Sequence, residues 1–177
     1  NGFVDDVHGY DFRYNDSEPM DVIDPSAGTT GGNPGHGTHV SGTIGAAGNN
    51  NLGVTGVMQS VKLMALKAGG IDNVLTDAAI AQAISYGIAN GAKAFTASFG
   101  RTGGSCSAVE YASLSAANAA GVMFLAAAGN SNLNNDVTPS YPAQYSVATA
   151  CGPALPNVIS VAAITQTGDK ASFSNFG

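Results

Sequence analysis

The stretch "NPGHGTHVSGTIGAAGNNNLGVTG" (residues 33–56) sets His36 where a glycine-rich turn meets a helix-like run, with His39 one helical turn further on. A histidine beside a loop is ordinarily a surface or capping residue. Two on one helical face also raise a metal site, but zinc hydrolases space these histidines four apart around a glutamate. Here the spacing is three, and Gly37 and Thr38 intervene. A dinucleotide loop fits no better: "GHGTHVSG" contains G-x-G, yet no third glycine follows at the right distance and no clear strand precedes it. Acid–base chemistry fits best. A general base needs an imidazole at a cleft edge, held rigidly and partly desolvated. The first turn of a buried helix supplies that, with Gly37 and Gly42 allowing close approach to a sheet. Such a base serves a serine nucleophile and is oriented by a carboxylate.

The elements that must position this chemistry alternate. Residues 11–35, with three prolines, many acids and clustered glycines, read as a loop. Residues 37–47 read as a helix with Val40, Thr43, Ile44 and Ala47 on one face. Strand-like runs follow at 61–67, 92–98, 122–128 and 157–164. Between them lie helices at 76–90, capped by Thr76 and stopped by Gly91, and at 107–120, stopped by Gly121. On the first, Ile80, Ala83, Ile84, Gly87 and Ile88 form the apolar face. The alternation predicts right-handed βαβ units and a mainly parallel sheet covered on both faces. Ligands bind such sheets beyond the carboxyl ends of the strands. Two strand ends run into polar, glycine-containing turns: "TASFG" (96–100) and "AAAGN" (126–130).

Composition narrows the class. The 177 residues are 44% hydrophobic and 10% charged with 24 glycines, which suits one close-packed α/β domain. A net charge of −6 and no basic run argue against nucleic acid as a partner. No apolar run reaches the roughly 18 residues of a membrane span. The opening "NGFVDDVHGY" lacks the basic and apolar regions of a signal peptide. Cys106 and Cys151 are the two cysteines, and composition leaves both buried thiols and a bridge open.

"GHGTHVSGTIGA", "TASFG", "AAAGN", "YPAQY", "PNVISVAA" and "ASFSNFG" together resemble the subtilisin-like serine proteases (subtilases), in the family's order and near its spacing. "GYDFRYNDSEP" and "GNNNLGVTGV" look most like the thermitase-type, calcium-binding members. The resemblance spans essentially the whole chain, residues 1–177. It implies a three-layer α/β/α fold with a mainly parallel sheet, present here in part. It makes His36 the general base and His39 a structural histidine packed under the helix. Asn130 becomes the oxyanion donor, its amide aimed at the oxygen that turns negative. Ser98, Phe99 and Gly100 match the segment that pairs with the substrate backbone, and Ala127, Ala128 and Gly129 match the opposite wall of the primary pocket. Phe99 stands where the family more often has leucine or tryptophan, so apolar or aromatic P1 residues are expected.

Two members of the triad are not identifiable. The family order is Asp, His, Ser, with the serine in a "GTSMA"-like segment after Asn130. Nothing after residue 130 matches, and Ser105 precedes Asn130. No "DTG" or "DSG" occurs; Asp5 and Asp6 lie near the right separation from His36, but "FVDDVHGYDF" resembles the segment that follows the aspartate motif. The expectation is an internal piece of a secreted endopeptidase, inactive and poorly folded alone, with a propeptide possible outside it. The alternative is an inactive homologue that binds peptides or proteins. The resemblance further implies a structural calcium held by Asn50 with carbonyls of Ala47, Leu52 and Val54, a second calcium at Asp11 and Asp16 with help from Glu18, and a Cys106–Cys151 bridge.

Overall fold

The computed structural model describes residue 3 and residues 6–20, 35–70, 72 and 74–177. Asp5 and the prolines of 21–34 lie outside the described residues. The chain forms two compact units, Asn1–Ala83 and Ile84–Gly177.

In the first unit, β1 (Tyr10–Asp11) pairs in parallel with β2 (Leu66–Lys67). The rings of Phe3, Tyr10 and Phe12 cluster beside this pair, with centroids 4.6–5.8 Å apart. The expected loop from residue 11 thus begins with a strand residue. Asp11 also exchanges backbone bonds with Asp16 (2.8 and 3.2 Å), which folds 11–16 into a tight turn. The buried Asp11 carboxylate holds that turn: one oxygen accepts the Arg13 and Tyr14 N–H groups at 2.8 and 3.0 Å, and the other pairs with the Lys67 ammonium. The strand expected over 61–67 shrinks to Leu66–Lys67, and 61–65 is exposed. An apolar run with strand propensity becomes a strand only where a neighbour offers a ladder, and among the described residues only Tyr10–Asp11 does so.

Helix α1 (His36–Gly45) forms as expected but buries none of its residues. Its last carbonyls find partners in the C-cap residue and in a returning loop. Ala46 N–H donates to Gly42 O, Val57 N–H to Thr43 O and Met58 N–H to Ile44 O, each within 3.0 Å. This satisfies orphan groups at the helix end. The return is tight: a Cβ at Gly56 would lie 2.4 Å from the Ala46 nitrogen.

Helix α2 (Asp77–Ala89) starts as expected, with Thr76 Oγ1 accepting the Ala79 N–H at 3.2 Å, and stops before Gly91, whose φ is 81°. Ala79, Ile80, Ala83, Ile84 and Tyr86 are buried along it.

In the second unit, β3 (Ala94–Ala97), β5 (Met123–Ala127) and β7 (Val158–Val161) form a parallel sheet in the order β3-β5-β7. The pair β4 (Arg101–Thr102) and β6 (Ser140–Tyr141) is antiparallel, and the Tyr141–Pro142 peptide is cis. Helix α3 (Ala108–Ala119), capped by Ser107 Oγ on the Glu110 N–H, packs against β5. A short 3-10 turn over Ala143–Ser146 lies on β7. The sheet departs from the two-sided burial expected of it. Phe124, Ala126 and Val158 are buried, whereas Met123, Ile159 and Val161 are 39%, 41% and 48% exposed. Strand side chains alternate between faces, so one face is covered by the described residues and the other is not. Cys106 and Cys151 form a disulfide across a sequence separation of 45.

Candidate active site

Ala97 and Ala126 face each other on the last rung of the β3–β5 ladder. One residue further the β3–β5 ladder has ended, with β3 already out of the sheet and β5 still paired with β7 at Ala127, and the two segments singled out in the sequence begin there. Ser98–Gly100 crosses from β3 to β4, with Ser98 and Phe99 half-buried and Gly100 exposed. Ala127–Gly129 ends β5. Ala128 is buried and its N–H donates to Val161 O at 2.9 Å. The sheet therefore sets the two segments side by side at the carboxyl ends of neighbouring parallel strands. Glycine is required at both tips. A Cβ at Gly100 would come within 2.9 Å of Tyr141 O. Gly129 takes φ 116°, and a Cβ there would meet the Asn175 amide nitrogen at 2.4 Å.

Asn130 follows Gly129 at the surface, in the turn that continues from β5. Below it lies a polar network that no periodicity announces. Asn135 and Asn175 are 6% and 0% exposed. Their side chains bond each other at 3.0 Å and reach the backbone around Asn130. The motif "ASFSNFG" stands out in the sequence, but nothing in it marks Asn175 as a support for Asn130.

A second polar cluster fixes the other segment. The Arg101 guanidinium lies 3.0 Å from the buried Glu110 carboxylate and over the Tyr141 ring. Tyr145, fully buried, adds its hydroxyl to Glu110. Burial first, and the Glu110 charge second, push the Tyr145 phenol well above its ordinary value.

His36 belongs to the first unit and opens α1 behind Gly35, whose φ of 81° makes the turn into the helix. Two expectations are corrected here. His36 is exposed rather than partly desolvated, and His39 is exposed rather than packed under the helix. Likewise Gly37 and Gly42 have no atom within 4 Å of a Cβ, so neither is a close-approach glycine among the described residues. The cause is shared: α1 buries no face. Within α1, the glycine beside which atoms crowd is Gly45, where a Cβ would stand 2.4 Å from Val61 Cγ1.

The two loops considered for calcium differ. In the 47–54 loop, Asn49, Asn51 and Gly53 have φ of 56–58°, and Asn50 Oδ1 accepts the Leu52 N–H at 3.0 Å. Ala47, Asn50, Leu52 and Val54 are all exposed. The oxygens on offer are neutral, as no carboxylate lies in 47–54. In the other loop, Asp11 is committed to its turn and to Lys67, while Asp16 Oδ1 accepts the Glu18 N–H at 2.9 Å. Among the described residues no three His, Cys, Asp or Glu side chains gather as a metal cluster, and no helix is long and apolar enough to cross a membrane.

A parallel sheet with helix α3 packed on it and glycine-containing polar turns at adjacent strand ends places the chain in the α/β class. The particular family follows from comparison with known proteins. The subtilase family (Peptidase_S8) matches residues 3–177. The chain is similar to a thermostable alkaline protease of Halalkalibacterium halodurans, 41% identical over 145 residues, covering 82% of this chain and 36% of that protein. It is also similar to thermitase of Thermoactinomyces vulgaris, 35% identical over 171 residues, covering 97% of this chain and 52% of thermitase. Among solved structures it resembles a cold adapted subtilisin-like serine proteinase, with a TM-score of 0.70 and 26% identity, covering 96% of this chain and 51% of that one. The chain belongs to the subtilase family. It spans about half, or less, of the length of these relatives.

Proposed function

We propose that these 177 residues are the central part of a serine endopeptidase. In this reading His36 takes the proton from a serine hydroxyl as that oxygen attacks the scissile carbonyl, then returns it to the leaving amine. The Asn130 side-chain amide donates to the oxyanion of the tetrahedral intermediate. Ser98–Gly100 pairs with the extended substrate backbone, and Ala127–Gly129 forms the facing wall. Backbone pairing supplies affinity while the pocket supplies selectivity. Small residues on one wall and Phe99 on the other favour large apolar or aromatic P1 side chains. The acid that orients His36 and the nucleophilic serine come from segments outside these residues, so the 177-residue piece alone is inactive. The supporting observation is the β3–β5 register, which brings the two proposed walls to adjacent strand ends.

The reading extends to calcium at the 47–54 loop. Calcium takes six to eight hard oxygens. The Asn50 side chain and the carbonyls of Ala47, Leu52 and Val54 would supply part of the shell, with a carboxylate from elsewhere. At Asp11 and Asp16 an ion would have to displace the Lys67 ammonium from Asp11. Secretion, which the family resemblance implies, is part of the same proposal.

The test uses the full-length protein beside the 177-residue piece. Both are treated with a serine-directed fluorophosphonate and with casein. Labelling and cleavage by the full-length protein only, and loss of cleavage on the order of a million-fold in His36→Ala, are expected; that magnitude is the one associated with subtilisin. Asn130→Ala should lower kcat about 100- to 1,000-fold with little change in KM, again the subtilisin magnitude. A full-length protein that binds peptides but neither labels nor cleaves would establish the binding-module alternative instead.

A further inference from the structure

Asn130 is useful as an oxyanion donor only if its amide already points where charge develops. Donors that must reorient during the reaction lose much of their effect. Asn130 sits on an exposed turn, and exposed turns move. The question is what holds this one.

The answer lies in residues 173–176 and in Asn135. Before Asn130, Asn135 Nδ2 donates to Ala128 O at 3.0 Å, and the Asn175 N–H donates to Gly129 O at 2.9 Å. After it, the Ser131 and Leu133 N–H groups both donate to Asn175 Oδ1, at 2.9 and 3.2 Å. Between these two, the Asn132 N–H donates to Phe173 O at 2.8 Å. Asn175 Nδ2 donates in turn to Asn135 Oδ1 at 3.0 Å, which joins the two supports. One side chain with no exposed surface therefore grips the backbone just after Asn130, while its own N–H grips the residue just before it.

The chemistry needs an amide. A carboxylate at 175 would still accept from Ser131 and Leu133, but it would place oxygen against Asn135 Oδ1 and bury a charge. Alanine would leave two N–H groups without an acceptor. Gly129 is part of the same device, since any side chain there would strike the Asn175 amide.

We propose that Asn175 is a positioning residue for oxyanion stabilisation, fixing the Gly129–Leu133 backbone so that Asn130 is aimed before substrate arrives. The proposal rests on Asn130 being the oxyanion donor. A buried asparagine with a purely structural role would affect stability and leave turnover per folded molecule intact. The two roles separate in a double-mutant cycle on the full-length enzyme, with kcat expressed per serine titrated by fluorophosphonate so that unfolded molecules do not count. Asn175→Asp, Asn130→Ala and the combination are compared. Asn175→Asp is expected to lower kcat about 10- to 100-fold with KM within about twofold, and to cost less than about twofold more in the Asn130→Ala background. Asn135→Ser, a milder truncation at the other end of the network, is expected to show the same dependence on Asn130 and decides the matter if Asn175→Asp yields no titratable enzyme. Equal losses in both backgrounds, or unchanged kcat per titrated serine, would overturn the proposal. An Asn130→Ala enzyme with undiminished kcat would instead remove the reading beneath it.

Discussion

The Tyr145 hydroxyl lies 3.0 Å from Glu110 Oε2 and accepts the Ser107 N–H at 2.9 Å, all inside a unit whose Tyr145 ring has no exposed surface. It also reaches Ser107 O at 3.1 Å, so one phenol ties the N-cap of α3 to the buried partner of Arg101. Tyr145→Phe keeps the ring and removes the link, leaving the Ser107 N–H short of its acceptor. The expected cost is about 1–3 kcal/mol, read from urea unfolding midpoints.

The same phenol gives an alkaline signature. Burial, then the Glu110 charge, raise its folded pKa above the unfolded value of 10.0. A raised pKa means stability that is complete below the unfolded value and is lost as pH climbs through the folded one. The advantage of the wild type over Tyr145→Phe should therefore be constant at neutral pH and shrink above about pH 10. A gap that widens there would contradict the assignment.

The Cys106–Cys151 bridge closes a separation of 45 residues, and in the chain-entropy model contributes about 3–4 kcal/mol. A Cys106→Ser/Cys151→Ser variant should unfold at correspondingly lower denaturant. Native protein treated with an alkylating agent, without reductant, should take up none.

Gly56→Ala places a methyl 2.4 Å from the Ala46 nitrogen and 2.6 Å from Gly45 Cα. Backbone on both sides cannot yield as a side chain would. A loss of about 1–3 kcal/mol is expected, together with faster proteolysis of the 46–58 return. Thermal unfolding alongside limited proteolysis checks both.

For calcium, the melting temperature of the full-length protein should rise with added Ca²⁺, and Asn50→Ala should reduce that increment without changing the melting temperature in chelator. An increment that survives Asn50→Ala would move the ion elsewhere.

Helices α2 and α3 were legible because their signals are local. The Thr76 cap, the apolar spacing from Ile80 to Ile84, and the glycines at 91 and 121, with φ of 81° and 70°, all lie within the segment they define. The β3 and β5 strand ends were legible for a similar reason, since each carries its turn in the next residues. What depends on a distant partner was not. Among the described residues, 61–65 have strand composition but no ladder, and His39 has helical spacing but no layer above it. Asn175 was invisible for the opposite reason: its partners lie 40 or more residues away, and a buried amide has no period. Asp11, a possible calcium ligand by the resemblance of its loop, also caps its own turn and pairs with Lys67, and neither contact has a local signal in the sequence.

Since Ala97 faces Ala126 one rung below the proposed pocket, the separation of the two walls is inherited from strand spacing rather than set by the residues lining them. A directed-evolution library confined to 98–100 and 127–129 would thus vary which side chain is admitted without altering the width of the gap. Insertion of a single residue within β5 would do the reverse. It would shift one wall along its strand by about 3.3 Å and turn its side chains to the opposite face. Diversification of this scaffold should accordingly tolerate substitution at the wall tips, Gly100 and Gly129 apart, and reject changes of length in the strands beneath them.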